Sequence, residues 1–176
     1  MAEEHITCND SGESIDFVEE EWISATKTRN YMIGDPILDW LNEFGEAKGF
    51  DKDTASKDYD KNLDFVQLLF RKGHKFEETV INFLKKKFGN KNFMTIATEY
   101  TDSKNVDKAK ETFEAMREGI PFILQGVLFN PNNKTYGMPD ILVRSDFLNE
   151  IVEEEHVNLS HESKGLDQDY HYRVID

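Results

Sequence analysis

Residues 120–129 (IPFILQGVLF) and 135–144 (TYGMPDILVR) are two apolar runs separated by NPNNK. Asn and Pro in that linker favour turn geometry. The flanking runs are rich in β-branched and aromatic residues, which suit a pleated, half-buried surface. The pattern therefore predicts an antiparallel β-hairpin over 120–144. YHYRVID (170–176) reads as a further strand alongside it. That strand stops at its most apolar point. The expectation is a sheet completed by a second chain or by a C-terminal segment missing from these 176 residues.

Helical patterns surround these strands, so the expected class is α/β: a central mixed β-sheet with a β-hairpin, flanked by helices and incomplete at the C-terminus. Ser24 and Asp35 read as helix N-caps, with Pro36 at a first helical position. Ile37, Trp40, Leu41 and Phe44 recur at helical spacing, and Gly45 and Gly49 end the run. Residues 45–62 are a polar connection. Residues 63–72 predict a short helix leading into Gly73, and residues 75–88 (KFEETVINFLKKKF) a second, stronger one. Residues 93–100 (FMTIATEY) suit a strand. Val106, Ala109, Phe113 and Met116 form the stripe of another helix, closed by Gly119. Residues 146–169 read as an acidic loop or frayed helix.

The formal net charge of −14 lies at the two ends of the chain. Residues 1–21 carry eight acids and no Lys or Arg, and read as a disordered acidic tail before a domain spanning 22–176. Residues 146–176 carry a net −7, leaving the middle near neutral. Within it, residues 71–91 hold a local net of +5 that can face phosphates or form a solvated helix face. The single cysteine, Cys8, excludes an internal disulfide and a cysteine-based zinc cage. His156, His161 and His171 have spacings that fit no common zinc site. No apolar stretch approaches the roughly 20 residues of a membrane span. The start of the chain has no secretory pattern. An intracellular protein, cytoplasmic or nuclear and without a membrane partner, is expected.

Three acids stand on apolar surfaces, where a carboxylate is costly unless it is paired or holds a cation. Glu77 is in helical register with Ile81, Leu84 and Phe88, whereas Glu78 is in register with Asn82 and Lys85. His74 precedes Glu77 by three residues and can share its face. Asp140 follows Gly137 and Pro139 and precedes Ile141-Leu142-Val143. Asp176 closes YRVID. Each has a plainer reading: Glu77 as an edge position paired with a lysine, Asp140 as a turn residue starting a strand, Asp176 as a terminal acid. Together they are the hard-oxygen set that suits Mg²⁺ or Mn²⁺.

The sequence resembles the PD-(D/E)XK nucleases of the RecB-like exonuclease branch over residues 22–176. WISATKTRNYMIGDP resembles the first helix of that branch, and GHKFEETV its first motif. QGVLFNPNNKTYGMPDILVR resembles the hairpin with the second motif. YRVID resembles the start of the third, Asp-x-Lys. The resemblance implies a restriction-endonuclease-like core and metal-dependent hydrolysis of DNA phosphodiesters. It assigns Glu77, Asp140 and Asp176 as catalytic and metal-binding acids, with His74 near the metal. DNA is the implied partner, through Lys72, Lys75, Lys85, Lys86 and Arg144. The third-motif lysine falls two residues beyond Asp176, so the 176-residue chain is expected to be inactive alone. Glu162-Ser163-Lys164 also satisfies the E-x-K spelling but lacks an apolar strand around it. The alternative is a non-catalytic module that kept the fold and binds nucleic acid or protein.

Overall fold

The computed structural model describes residues 15–152, 166 and 168–176. It is an α/β structure with two mixed sheets and five α-helices among those residues. The chain divides into two compact units, Thr26–Leu84 and a larger one formed by Met1–Ala25 with Lys85–Asp176.

In the larger unit, β1 (Ile23–Ser24) leads into α1 (Ala25–Met32). The smaller unit continues with α2 (Ile37–Phe44) and most of α3 (Phe65–Phe88). Asp35 Oδ1 accepts the Ile37 N–H at 3.2 Å, one residue before the N-cap expected of it, because Pro36 takes that place and α2 begins at Ile37. Trp40 packs near Phe44 and Phe50, with ring centroids 6.0 and 6.3 Å away. Asp64 starts α3 by accepting the Val66 and Gln67 N–H groups at 2.7 and 3.1 Å. The Tyr59 hydroxyl, donating to Asp64 at 2.7 Å, is the main reason that this carboxyl titrates below its ordinary value. The two helices expected at 63–72 and 75–88 are one. Gly73 lies inside α3 and does not break it, because an interior glycine costs only about 1 kcal/mol against alanine. A capped start and an apolar stripe on both sides outweigh that.

The larger unit continues with β2 (Phe93–Thr95), α4 (Val106–Arg117), β3 (Phe122–Leu124), β4 (Leu128–Asn130), β5 (Thr135–Gly137), β6 (Ile141–Arg144), α5 (Ser145–Ile151) and β7 (Tyr172–Ile175). The strand expected over 93–100 ends at Thr95, and Tyr100–Lys104 forms a short 3₁₀ turn. There the Asp102 side chain accepts the Thr98 and Glu99 N–H groups, an arrangement an extended strand cannot make.

The expected hairpin is present, but it is divided. β4 pairs with β5 and β3 with β6, all antiparallel and with a common offset, as in Phe129↔Tyr136 and Ile123↔Leu142. Residues 125–127 interrupt the hairpin. Gln125 adopts φ 51°, left-handed backbone that costs a non-glycine residue about 1 kcal/mol or more. A Cβ on Gly126 would lie 2.7 Å from Leu142 Cδ1 and 3.1 Å from Thr112 Cγ2, so only glycine lets the chain approach this closely. The Val127 N–H, turned out of the ladder, donates to Thr112 Oγ1 of α4 at 2.9 Å. The two halves of the hairpin thus join different sheets. One has the order β1-β5-β4, with β1 parallel to β5. The other is β2-β3-β6-β7, with β2 parallel to β3 and β7 antiparallel to β6.

The four-stranded sheet is covered on both faces. Ile123 and Leu142 pack with Ile96 and with Ala115 of α4, and Met116, Ile120 and Tyr172 close over that cluster. On the other face Phe122 stacks on Phe93 at 4.5 Å and meets Phe88 and Phe147 at 5.1 and 5.5 Å. The three-stranded sheet has an aromatic cluster of its own: Phe17 and Trp22 meet Phe129 at 5.2 Å, and Phe17 meets Tyr136 at 5.6 Å. The expected acidic tail is therefore shorter at its C-terminal end. Phe17 anchors residues 15–21, and Glu19 and Glu21 pair with Lys104 and Lys134. Residues 1–14 of that tail lie outside the described residues, as do 153–165 of the expected acidic loop.

Candidate metal centre

β6 and β7 pair through Ile141↔Ile175 at the last step of their ladder. Asp140 and Asp176 occupy the next position on each strand. Residues directly opposite on antiparallel strands have Cα atoms about 4.5–5.5 Å apart. On the other side of β6, Gln125 takes the position opposite Asp140. Its backbone N–H donates to the Asp140 carbonyl at 3.0 Å, and its side-chain Nε2 donates to Asp140 Oδ1 at 3.2 Å. One end of the sheet therefore carries Gln125, Asp140 and Asp176 in a row across β3, β6 and β7.

Local sequence explains why Asp140 is held there. Pro139 before it is buried, and Ile141 after it is only 2% exposed. The backbone on both sides is thereby fixed, while the carboxylate itself is half-buried at the sheet end. Hard oxygens in small number, with room for water, are the donor set of Mg²⁺ and Mn²⁺. Among the described residues, no group of three or more His, Cys, Asp or Glu side chains is assembled for a metal ion. The larger unit contributes two strand carboxylates and one amide.

Glu77 and His74 belong to the smaller unit, on α3. Glu77 is half-buried and Glu78 exposed, as the helical register predicts. His74 Nδ1 lies 3.8 Å from Glu77 Oε2, with the imidazole 81% exposed and the Glu77 side chain 23% exposed. Lys72, Lys75 and Lys86 are exposed along α3. Lys85 is half-buried, with Nζ 5.8 Å from the centroid of the Phe93 ring.

Arg144, expected to meet phosphates, holds the fold together instead. Nε and Nη2 donate to the two carboxylate oxygens of Asp146 at 2.7 and 2.8 Å, and Nη1 donates to the Gly119 carbonyl at 2.5 Å. The guanidinium also lies over the Phe147 and Tyr170 rings at 5.0 and 5.1 Å. Burial alone would push the Asp146 carboxyl up, but the hydrogen bonds and charge of Arg144 outweigh it and hold that carboxyl below its ordinary value. Arg144 thus ties β6 to the glycine that closes α4. Glu162-Ser163-Lys164 lies outside the described residues.

The position the sequence reading missed is Gln125. The signal was present, since a polar residue interrupts FIL-Q-GVLF immediately before a glycine. Counting back along the hairpin register places it opposite Asp140. No family model matches the sequence, and no curated protein or solved structure matches it either.

Proposed function

We propose that this chain carries part of a metal-dependent site for phosphodiester hydrolysis in DNA, of the PD-(D/E)XK type, on a restriction-endonuclease-like core. One observation carries the reading: Asp140 and Asp176 each lie one residue beyond the Ile141↔Ile175 pair of the antiparallel strands β6 and β7, Asp140 following the buried Pro139 and Asp176 following Tyr172–Ile175. Their order along the chain is that of the second and third motifs which the sequence resembles. Asp140 and Asp176 bind and orient the cation, and Glu77 enters the reading through its sequence motif alone. Bound Mg²⁺ or Mn²⁺ supplies Lewis acidity and lowers the pKa of a water molecule near the phosphate. Charge building on the phosphate as the transition state forms needs a fixed cationic donor as well. Cation binding reports on the two carboxylates directly and is the measurement that tests this reading.

The test is a Mn²⁺ titration of the 176-residue chain by electron paramagnetic resonance. We expect one weak site, with a dissociation constant on the order of 10⁻⁴ to 10⁻³ M. Asp140→Ala should abolish it, Asp176→Asn should weaken it, and Glu78→Gln should leave it unchanged. Binding unaffected by Asp140→Ala refutes the reading. Affinity for DNA that is indifferent to Mn²⁺ and to Asp140→Ala would favour the non-catalytic module instead.

A further inference from the structure

Gln125 makes an unusual pair of commitments to one residue. Its main chain and its side chain both donate to Asp140, the first to the carbonyl and the second to Oδ1. It does so from φ 51°, a conformation that glycine would adopt without strain. The surroundings leave the segment little freedom. The Gln125 carbonyl accepts the Ala97 N–H at 3.2 Å, Gly126 is wedged against Leu142 and Thr112, and Val127 is bonded to Thr112. Backbone geometry alone does not explain a glutamine here, because the turn would be satisfied at lower cost by glycine.

We propose that Gln125 is a positioning residue for the candidate metal centre: its side-chain amide fixes Asp140 Oδ1 and leaves Oδ2 for the divalent cation. This rests on the metal reading above. The residue type fits the task. An amide is a neutral donor, so it orients the carboxylate without neutralising it, whereas a lysine or arginine there would add a positive charge beside the cation. Partners that orient a metal ligand are commonly worth about 10–100-fold in metal affinity.

The experiment uses the 176-residue chain with Mn²⁺ as the probe, followed by electron paramagnetic resonance, alongside thermal melting. Gln125→Gly removes the amide and relieves the backbone. Gln125→Ala removes the amide and keeps a Cβ at positive φ. Both should bind Mn²⁺ about tenfold more weakly than the unaltered chain. Their melting temperatures should diverge, with Gln125→Gly at or above the unaltered chain and Gln125→Ala below Gln125→Gly. An affinity loss in both, independent of stability, supports the positioning role. Mn²⁺ binding that is lost in Asp140→Ala but within twofold of normal in Gln125→Gly overturns this role and leaves the metal centre standing. A loss seen only in the variant that melts lower also overturns it, since the effect is then structural. Absence of Mn²⁺ binding by the unaltered chain overturns the metal centre and the positioning role together.

Discussion

Replacing Thr112 by Val tests how the break in the hairpin is held. Thr112 is 1% exposed, and its hydroxyl accepts the Val127 N–H at 2.9 Å while donating to the Lys108 carbonyl at 2.8 Å. Valine has nearly the same shape, so packing changes little. The Lys108 carbonyl lies within α4, where the helical backbone bonds it. The Val127 N–H, in contrast, faces a methyl group in a fully buried place. A buried donor left without a partner costs about 1–3 kcal/mol. For a unit the size of the larger one, at about 4 °C per kcal/mol, that corresponds to a fall of roughly 4–12 °C in melting temperature. Thr112→Ser keeps the acceptor and loses one methyl, which costs about 1 kcal/mol. The expected order of stability is therefore wild type, then Thr112→Ser, then Thr112→Val. Urea denaturation followed by circular dichroism ranks the three, and amide hydrogen exchange at Val127 should accelerate in Thr112→Val alone. A Thr112→Val protein as stable as Thr112→Ser, with Val127 still protected, would refute the reasoning.

Two further outcomes follow from local geometry. Gly73→Ala should stabilise the chain by about 0.5–1 kcal/mol, since Gly73 is inside a continuous helix and a Cβ there meets nothing within 4 Å; a loss of helicity by circular dichroism would instead mark Gly73 as a break between two helices. Asp146→Asn should destabilise the chain by about 1–2 kcal/mol near pH 6, discounted for a carboxylate that is 44% exposed. Because the folded Asp146 titrates below its unfolded value of about 3.9, its stabilising contribution is present above that pH and is lost as pH falls through the folded value. The gap between wild type and Asp146→Asn should then shrink between pH 5 and pH 3, and a gap constant with pH in urea titrations would contradict the assignment.

Much of the larger unit was legible because its signals are local and periodic. The two apolar runs around NPNNK identified both partners of the hairpin, and Gly119, at φ 74°, closes α4 where the stripe of Val106, Ala109, Phe113 and Met116 ends. What escaped reading depends on contacts distant in sequence. The split of 120–129 between two sheets is set by Thr112 and Leu142 crowding Gly126, and neither is near it in the chain. Phe17 reads as part of an acidic tail until Phe129 and Tyr136 are brought beside it. Arg144 reads as a cation open to phosphate until the two oxygens of Asp146 are placed against it. At the candidate centre, two acids could be named from their position beside apolar strands. Gln125 was passed over because a single glutamine gains meaning only once the hairpin register is counted back from NPNNK to the residue opposite it.

The placement of the two tryptophans gives each compact unit its own optical label. Trp22, 7% exposed, sits in the larger unit among Phe17 and Phe129, whereas Trp40, 42% exposed, sits in the smaller unit near Phe44 and Phe50. A water-borne quencher such as iodide reaches the second and is shut out from the first. The emission of one chain then contains two separable populations, the shielded one at shorter wavelength. Followed through a denaturant titration, they reveal whether the units lose their structure in one step or in two, without any dye or engineered probe.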